Sequence, residues 1–286
     1  MAVDFSKKEV FFAYKNFYGI FYPNNNQTIV NKIIIVILKN IYPLIRKFFN
    51  IKNYIISLFT RSNLSQNFNN NISIKDLSSY HNHLSEKGWC FIENFFDEET
   101  HRNLLAAWPS KYFFSINEKP TKYYSTGFFS KSKTDEKKLR NFPYFKKIYN
   151  YVFSEKFKLN ASKLIDSNIS SDYLCYTVLS SVSGFKNYLI PHKDGISASK
   201  KRFKNFNFIY FAEGNNEIPE FSGATGIFKD NEFQSPIFIP HNMTNSCLVY
   251  DSSDNFFHGF KSLKKEGYRK VITFQFFHKE NLENKN

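Results

Sequence analysis

The chain has 286 residues, of which 42% are hydrophobic, 19% aromatic and 22% charged. This length permits one large domain with an extension, or two small domains, and the apolar content is sufficient for a real core. With 35 Phe and 10 Gly, the composition excludes a low-complexity or glycine-linked chain. The formal charge of +14 would attract nucleic acid, anionic membranes or acidic small molecules, but the lysines are scattered, so nucleic acid is not the expected partner.

The cysteines point to a reducing compartment. Cys90, Cys175 and Cys247 are isolated and odd in number, which supports neither a disulfide framework nor a zinc knuckle. Residues 1–10 mix acidic and basic side chains, and no apolar region follows a basic start, so no secretory signal is predicted. We therefore expect a cytoplasmic protein.

An amphipathic basic helix is predicted near the N-terminus. Within residues 29–48, apolar side chains recur at three- and four-residue steps with basic ones opposite, and Pro43 is expected to kink or break the helix. The longest apolar run, 33–38, is far shorter than the ~20 residues that cross a bilayer. The helix is expected to pack on the rest of the chain or on a partner; the alternative is peripheral membrane contact through residues 29–60.

A linker separates this region from the rest of the chain. Residues 62–71 are rich in Asn and Ser and contain few apolar side chains. We therefore divide the chain into an N-terminal helical extension, residues 1–70, and a domain over residues 71–286.

The front of this domain is predicted to be mainly helical. A short helix is expected over 74–84 and a first strand over 88–92. Asp97 offers an N-cap for a helix that Pro109 stops, and on this helix His101 is expected to be a packed residue and not a metal ligand.

Two further segments complete the front half. Residues 111–140 are aromatic and basic but lack apolar periodicity, which suggests either a binding loop or lid, or a solvated insertion. Residues 145–164 have a helical pattern.

After Asp172 the chain becomes β-rich. Short runs separated by turn clusters predict a mostly β fold with flanking helices, in the form of a sandwich or barrel, of which the eight-stranded jelly roll is one member. The predicted strands are 173–181, 188–192, 206–211, 225–228, 236–239, 246–250 and 270–277.

The candidate metal ligands lie in this half. His192 and Asp194 are two residues apart, so their side chains point to the same side of an extended strand, and His258 would come from another strand. Two histidines and one carboxylate on one face of a metal leave adjacent positions open, as in non-haem Fe(II) sites. His241 follows Pro240 in a turn, which favours a surface role, and His278, near the C-terminus, is expected to be exposed.

An arginine begins the last long strand, eleven residues after His258. A guanidinium there could pair with both oxygens of a carboxylate and so anchor a dicarboxylic co-substrate beside the metal. The strand has one mainly polar face, expected to turn into the barrel, and one apolar face. The first face carries Arg269, Val271, Thr273 and Gln275, and the second Ile272, Phe274 and Phe276.

These motifs resemble the 2-oxoglutarate and Fe(II)-dependent dioxygenase superfamily, especially its prolyl-hydroxylase-like branch, over about three quarters of the chain. The resemblance implies a double-stranded β-helix that binds Fe(II) through His192, Asp194 and His258, with 2-oxoglutarate as co-substrate and its distal carboxylate on Arg269. The motifs that carry it are Glu86 to Phe95, Pro191-His192-Lys193-Asp194, Phe206 to Phe211, Phe221-Ser222-Gly223-Ala224-Thr225, Phe257-His258-Gly259 and Gly267-Tyr268-Arg269.

The sequence departs from this family at the co-substrate anchor. Many members carry Ser or Thr two residues after the arginine, where this chain has Val271, and Thr273 is the candidate for a substitute anchor. Tyr176, Asn205 and Asn207 are further candidates for contact with the co-substrate. Asp194 is retained, whereas the halogenating branch has a small residue there, so the resemblance implies hydroxylation.

Three classes of function remain open. The first is a hydroxylase of a small-molecule, glycan, lipid or protein substrate. The second is a nucleic-acid dealkylase on the same fold, which typically has a second arginine where this chain has Gln275. The third is a non-catalytic jelly-roll binding module.

Overall fold

The computed structural model describes residues 71–108, 115–116, 124–129, 143–183, 188–193, 204–217, 223–252, 256–261 and 268–279. A 3-10 turn covers Ser78–Tyr80. The α-helices are α1 (His81–Lys87), α2 (Glu98–Ala106), α3 (Pro143–Val152), α4 (Glu155–Ile165) and α5 (Ile169–Asp172). The strands are β1 (Trp89–Glu93), β2 (Ser115–Ile116), β3 (Tyr124–Phe129), β4 (Tyr173–Ser183), β5 (Leu189–His192), β6 (Phe206–Gly214), β7 (Gly226–Phe228), β8 (Pro236–Phe238), β9 (Ser246–Asp251), β10 (Phe257–Phe260) and β11 (Tyr268–His278).

The strands form two antiparallel sheets. The large sheet has the order β1-β9-β6-β11-β4-β3-β2 and the small sheet the order β5-β10-β7-β8. From β4 onward the chain passes back and forth between them: β4, β6, β9 and β11 lie in the large sheet, and β5, β7, β8 and β10 in the small one. The predicted mostly β class with flanking helices is confirmed.

The helical front end agrees with its local sequence signals. The side chain of Asp97 accepts a hydrogen bond from the Thr100 N–H at 2.8 Å, so the predicted N-cap of α2 is confirmed. Gly88 ends α1 with φ of 76°, a left-handed conformation that glycine adopts at little cost. The strand β1 then follows, as predicted.

The helix predicted over residues 145–164 is in fact two helices. The helix is interrupted after α3, and the Ser154 side chain caps α4 by accepting a hydrogen bond from the Phe157 N–H. The apolar periodicity runs across the break, which is why it predicts one helix. A serine side chain can accept from an N–H that the first turn of a helix leaves unbonded, and Ser154 does so here, which favours the start of a new helix.

Part of the segment predicted to be a loop, lid or insertion forms strands. Within residues 111–140, β2 pairs with β3, and β3 pairs along its length with β4. The prediction was wrong for these residues because their pairing partner lies about 50 positions away in sequence, beyond the reach of a local pattern. The proposed lid function of the remaining positions falls outside the described residues.

Two apolar clusters lie on opposite faces of the large sheet. On the outer face, Phe157 of α4 contacts the rings of Phe208, Phe274 and Phe276 with centroids 5.8–6.3 Å apart, which joins the helices to the sheet. The inner cluster lies between the sheets and includes Ile209, Phe211, Ala224, Ile227, Leu248, Tyr250 and Val271. The space between the sheets is therefore largely apolar, and any polar side chain buried there needs a hydrogen-bonding or charged partner.

The strand β11 has the predicted two faces. Ile272, Phe274 and Phe276 belong to the outer cluster, whereas Val271 belongs to the inner one and Arg269 is buried. The prediction that His278 is exposed is wrong. It ends β11 with 9% of its surface accessible, its N–H donates to the Asn205 side chain, and its ring packs edge-on against Tyr173.

A buried polar network fixes α2 on the sheet. The Tyr210 hydroxyl lies 2.8 Å from Nδ1 of His101 and 3.3 Å from Oδ1 of Asn245, and Asn245 also bonds both backbone groups of Phe96. His101 is therefore a packed helix residue, as predicted.

This network predicts a pH-dependent stability. Burial lowers the pKa of His101, and the Glu213 carboxylate partly opposes that shift. The folded state therefore binds this proton less readily than the unfolded state, so the contribution is present above the unfolded pKa of about 6.5 and is lost as pH falls through the folded pKa. We expect urea unfolding between about pH 7.5 and about pH 5.5 to show a larger loss of stability for the wild type than for His101→Gln. Equal losses in the two proteins would contradict this assignment.

The N-terminal helical extension and its linker lie outside the described residues. Among the residues that are described, none of the helices is long and apolar enough to cross a membrane. Cys90 and Cys247 are free and buried, and burial raises the pKa of both thiols, which makes them poor nucleophiles.

Candidate active site

The two candidate histidine ligands lie side by side on adjacent strands of the small sheet. His258 on β10 pairs directly with His192 on β5, and their ring centroids are 4.3 Å apart. His258 is 6% exposed, and His192 is half-buried. Directly opposed residues of an antiparallel pair have side chains on the same face, so the pairing itself brings the imidazoles together.

The ring of His192 is held by its own strand. Its Nδ1 lies 2.9 Å from the Ile190 carbonyl oxygen. Because a carbonyl can only accept, Nδ1 carries the proton, and in the neutral ring Nε2 then carries the lone pair that a metal requires.

The ring of His258 packs against a residue that sequence reasoning did not identify. The Tyr250 ring lies 5.3 Å from it, and the Tyr250 hydroxyl accepts a 2.8 Å hydrogen bond from Nδ2 of Asn207. Both residues are 1% exposed or less, and they occupy paired positions of β6 and β9. Asn207 therefore lies on the inner face, as required of a site residue, and one of its donors is used by Tyr250.

Arg269 reaches from the large sheet towards the small one. It is 6% exposed, and its guanidinium carbon lies 4.3 Å from the centre of the Phe260 ring and 5.9 Å from that of Phe211. Its Nη1 donates to the Gly223 carbonyl and, at 2.5 Å, to the Thr225 hydroxyl. A cation is thus held between aromatic faces inside the protein.

The spacing between the histidines and the arginine follows from strand geometry. Phe260, which the arginine overlies, is two residues beyond His258 on β10, so the two side chains share a face. Two residues of a strand span about 7 Å. This distance is comparable with the length of an extended five-carbon dicarboxylate.

The other predicted site residues have less definite places. Thr273 pairs in register with Ile209 of β6 and Val178 of β4, and Gln275 pairs with Asn207 and Tyr176. Asp194 lies outside the described residues. Within the part of the chain that is described, no three His, Cys, Asp or Glu side chains converge on one point.

His241 follows β8, the edge strand of the small sheet opposite to β5. The His241 side chain is 67% exposed, and its Nε2 lies 3.5 Å from the Glu93 carboxylate. Its predicted surface position is confirmed.

The donor set fits a divalent iron and a carboxylate co-substrate. The two imidazoles lie on one face and are nitrogen donors of the kind that iron accepts. The guanidinium fork of Arg269, buried where the dielectric is low, matches a carboxylate.

Solved structures with a similar fold were found by comparison. The protein is similar to a Trichoplax adhaerens prolyl hydroxylase in complex with a peptide fragment of the hypoxia-inducible factor oxygen degradation domain, with a TM-score of 0.53 and 14% identity over 73% of this chain and 93% of that one. It is also similar to a Burkholderia pseudomallei oxidoreductase of the 2OG-Fe(II) oxygenase family, with a TM-score of 0.48 and 12% identity over 71% of this chain and 90% of that one. No protein-family model matches the sequence, and no curated protein matches it.

The chain has the prolyl-hydroxylase fold. The predicted resemblance to the 2-oxoglutarate and Fe(II)-dependent superfamily, and to its prolyl-hydroxylase-like branch, is confirmed for the fold.

Within the prolyl-hydroxylase fold, this chain supplies the hydroxyl beside its arginine from an unexpected element. Val271 lies in the inner apolar cluster, and the hydroxyl that bonds Arg269 belongs to Thr225, just before β7 of the small sheet. Only the packing of the two sheets brings Thr225 and Arg269 together, since they are 44 positions apart. The turn motif that contains Thr225 was the one available sequence signal.

Proposed function

We propose that this protein is an Fe(II)- and 2-oxoglutarate-dependent oxygenase that hydroxylates its substrate. The observation that carries the proposal is the inner-face arrangement of His192, His258 and Arg269 between two sheets of the prolyl-hydroxylase fold. The alternation of β4 to β11 between the sheets supports a double-stranded β-helix. We assign this oxygenase domain to residues 71–286.

The metal would be held by His192, Asp194 and His258. The strand pairing places the imidazoles side by side, and the Ile190 carbonyl and the Tyr250 ring orient them. Such contacts outside the ligand set determine ring orientation and ligand basicity. When bound, Fe(II) and 2-oxoglutarate would supply the redox chemistry, in which oxidative decarboxylation of 2-oxoglutarate is coupled to oxidation of the substrate by O2.

The distal carboxylate of the co-substrate would bind Arg269. The Thr225 hydroxyl accepts from this arginine, so its own O–H can donate to the same carboxylate. Thr273, Asn207 and Tyr176 complete the predicted co-substrate set. The Phe260 and Phe211 rings would exclude water from the ion pair between Arg269 and this carboxylate, and so strengthen the pair.

The proposed substrate is a protein side chain or a small molecule. The Trichoplax relative was solved with a peptide, which is consistent with the first of these. Nucleic-acid dealkylation is not favoured, because Gln275 stands where that branch has a second arginine.

Anaerobic titration tests this function. We expect Fe(II) and 2-oxoglutarate together to produce a saturable metal-to-ligand absorption band, and O2 then to produce succinate. A protein with no affinity for Fe(II) would instead be a non-catalytic binding module. Succinate formation stimulated by an alkylated oligonucleotide would favour the dealkylase.

A further inference from the structure

A β-bulge lies beside the first histidine. His258 pairs with His192, but Phe260 pairs with Leu189, so two residues of β5, Ile190 and Pro191, stand opposite the single residue Gly259 of β10. Such an extra residue bends a strand and redirects a neighbouring side chain, and bulges are frequent next to active sites. Proline suits this place, because it has no N–H to contribute to the ladder.

The bulge requires glycine at position 259. A Cβ at Gly259 would lie 2.4 Å from the Leu189 carbonyl oxygen, 2.8 Å from the Pro191 nitrogen and 3.0 Å from the Ile190 carbonyl carbon. All three are backbone atoms of β5, which cannot swing aside as a side chain can. Any larger residue would therefore force β5 away from β10 at the position of the histidine pair.

The bulge also supplies the group that holds the ring of His192. The carbonyl that accepts from His192 Nδ1 belongs to Ile190, one of the two bulged residues. Gly259 thus packs against the bulge, and the bulge contains the carbonyl that accepts the hydrogen bond from His192.

We propose that Gly259 and the Ile190–Pro191 bulge act together as a positioning device that keeps His192 protonated at Nδ1, with Nε2 directed to the metal. Gly259 permits the close approach of the strands, the bulge places the Ile190 carbonyl, and the carbonyl selects the tautomer. The role in metal binding rests on the function proposed above, whereas the tautomer itself is a property of the metal-free protein.

The first measurement uses the metal-free full-length chain. Long-range proton–nitrogen NMR of 15N-labelled histidine at about pH 8, above the ordinary histidine pKa, reports the tautomer of each ring. His192 is assigned by comparison with His192→Gln. We expect His192 to carry its proton on Nδ1; a proton on Nε2 would overturn the proposal whether or not any variant folds.

The second measurement uses variants and Co(II) as the probe. Gly259→Ala should lose the single His192 tautomer and bind Co(II) about 10–100-fold more weakly, the range typical of removing a group that orients a ligand. Gly226→Ala is the matched control, because its Cβ would also meet a backbone oxygen, that of Phe238, at 2.9 Å in the same sheet but away from β5.

These outcomes separate positioning from simple loss of stability. We expect both alanine variants to unfold at lower temperature, but only Gly259→Ala to change the tautomer and the Co(II) absorption. A Gly259→Ala protein with wild-type tautomer and affinity, or equal losses in both variants, would overturn the proposal. A wild type that shows the Nδ1–H tautomer but does not bind Co(II) would contradict the proposed oxygenase function and leave the tautomer assignment standing.

Discussion

Replacing His258 with alanine is expected to lower Fe(II) affinity by more than about 100-fold and to abolish 2-oxoglutarate turnover. Removing a group that merely orients a ligand costs about 10–100-fold, and loss of a ligand itself should cost more. His258 also pairs directly with His192, so the change removes one half of the imidazole pair. Affinity is measured by anaerobic Fe(II) titration, and turnover by succinate formation.

The matched control is His241→Ala. This histidine is exposed and lies by the Glu93 carboxylate, away from the histidine pair, so its removal should leave both measurements unchanged. Full succinate production by His258→Ala, or loss of Fe(II) binding in His241→Ala, would contradict the assignment of the metal ligands.

Replacing Arg269 with glutamine is expected to weaken 2-oxoglutarate binding by about 30-fold or more, while Fe(II) affinity stays close to that of the wild type. Truncating one partner of a buried, hydrogen-bonded charge pair costs about 2–5 kcal/mol, and 1.4 kcal/mol corresponds to a factor of ten. Anaerobic titration of the Fe(II) protein with 2-oxoglutarate measures the change. Unaltered affinity would exclude Arg269 as the anchor.

Thr225→Val should produce a smaller change in the same direction. It preserves the shape of the side chain but removes a hydroxyl worth about 1 kcal/mol, so a loss of roughly fivefold in 2-oxoglutarate affinity is expected. Thr244→Val makes the same chemical change in a loop where the hydroxyl accepts from Asn216, and it should have no effect on this affinity. Equal effects of the two variants would indicate that Thr225 only supports the fold.

Features with a short-range cause could be predicted from the sequence. The Asp97 cap needs only the N–H groups of the turn that follows it, and the two faces of β11 follow from the alternation of side chains along any strand. The positions of most strands also agree with their apolar runs and turn residues, and the motif resemblance indicated the prolyl-hydroxylase-like fold.

Errors arose where a distant partner decided the outcome. Residues 124–129 become a strand by pairing with β4, and His278 is buried because Tyr173 and Asn205 cover it. Neither partner lies within a local sequence window.

The candidate ligands and the candidate anchor could be named from residue type alone, because imidazole, carboxylate and guanidinium groups each have a chemistry that does not depend on the fold. The tertiary structure decided which of them meet. The pairing of β5 with β10 sets His192 beside His258, and the packing of the two sheets brings Thr225 and Phe260 to Arg269. Such contacts depend on the register between strands and the separation between sheets, and these are set by the burial of many side chains together and not by any one motif.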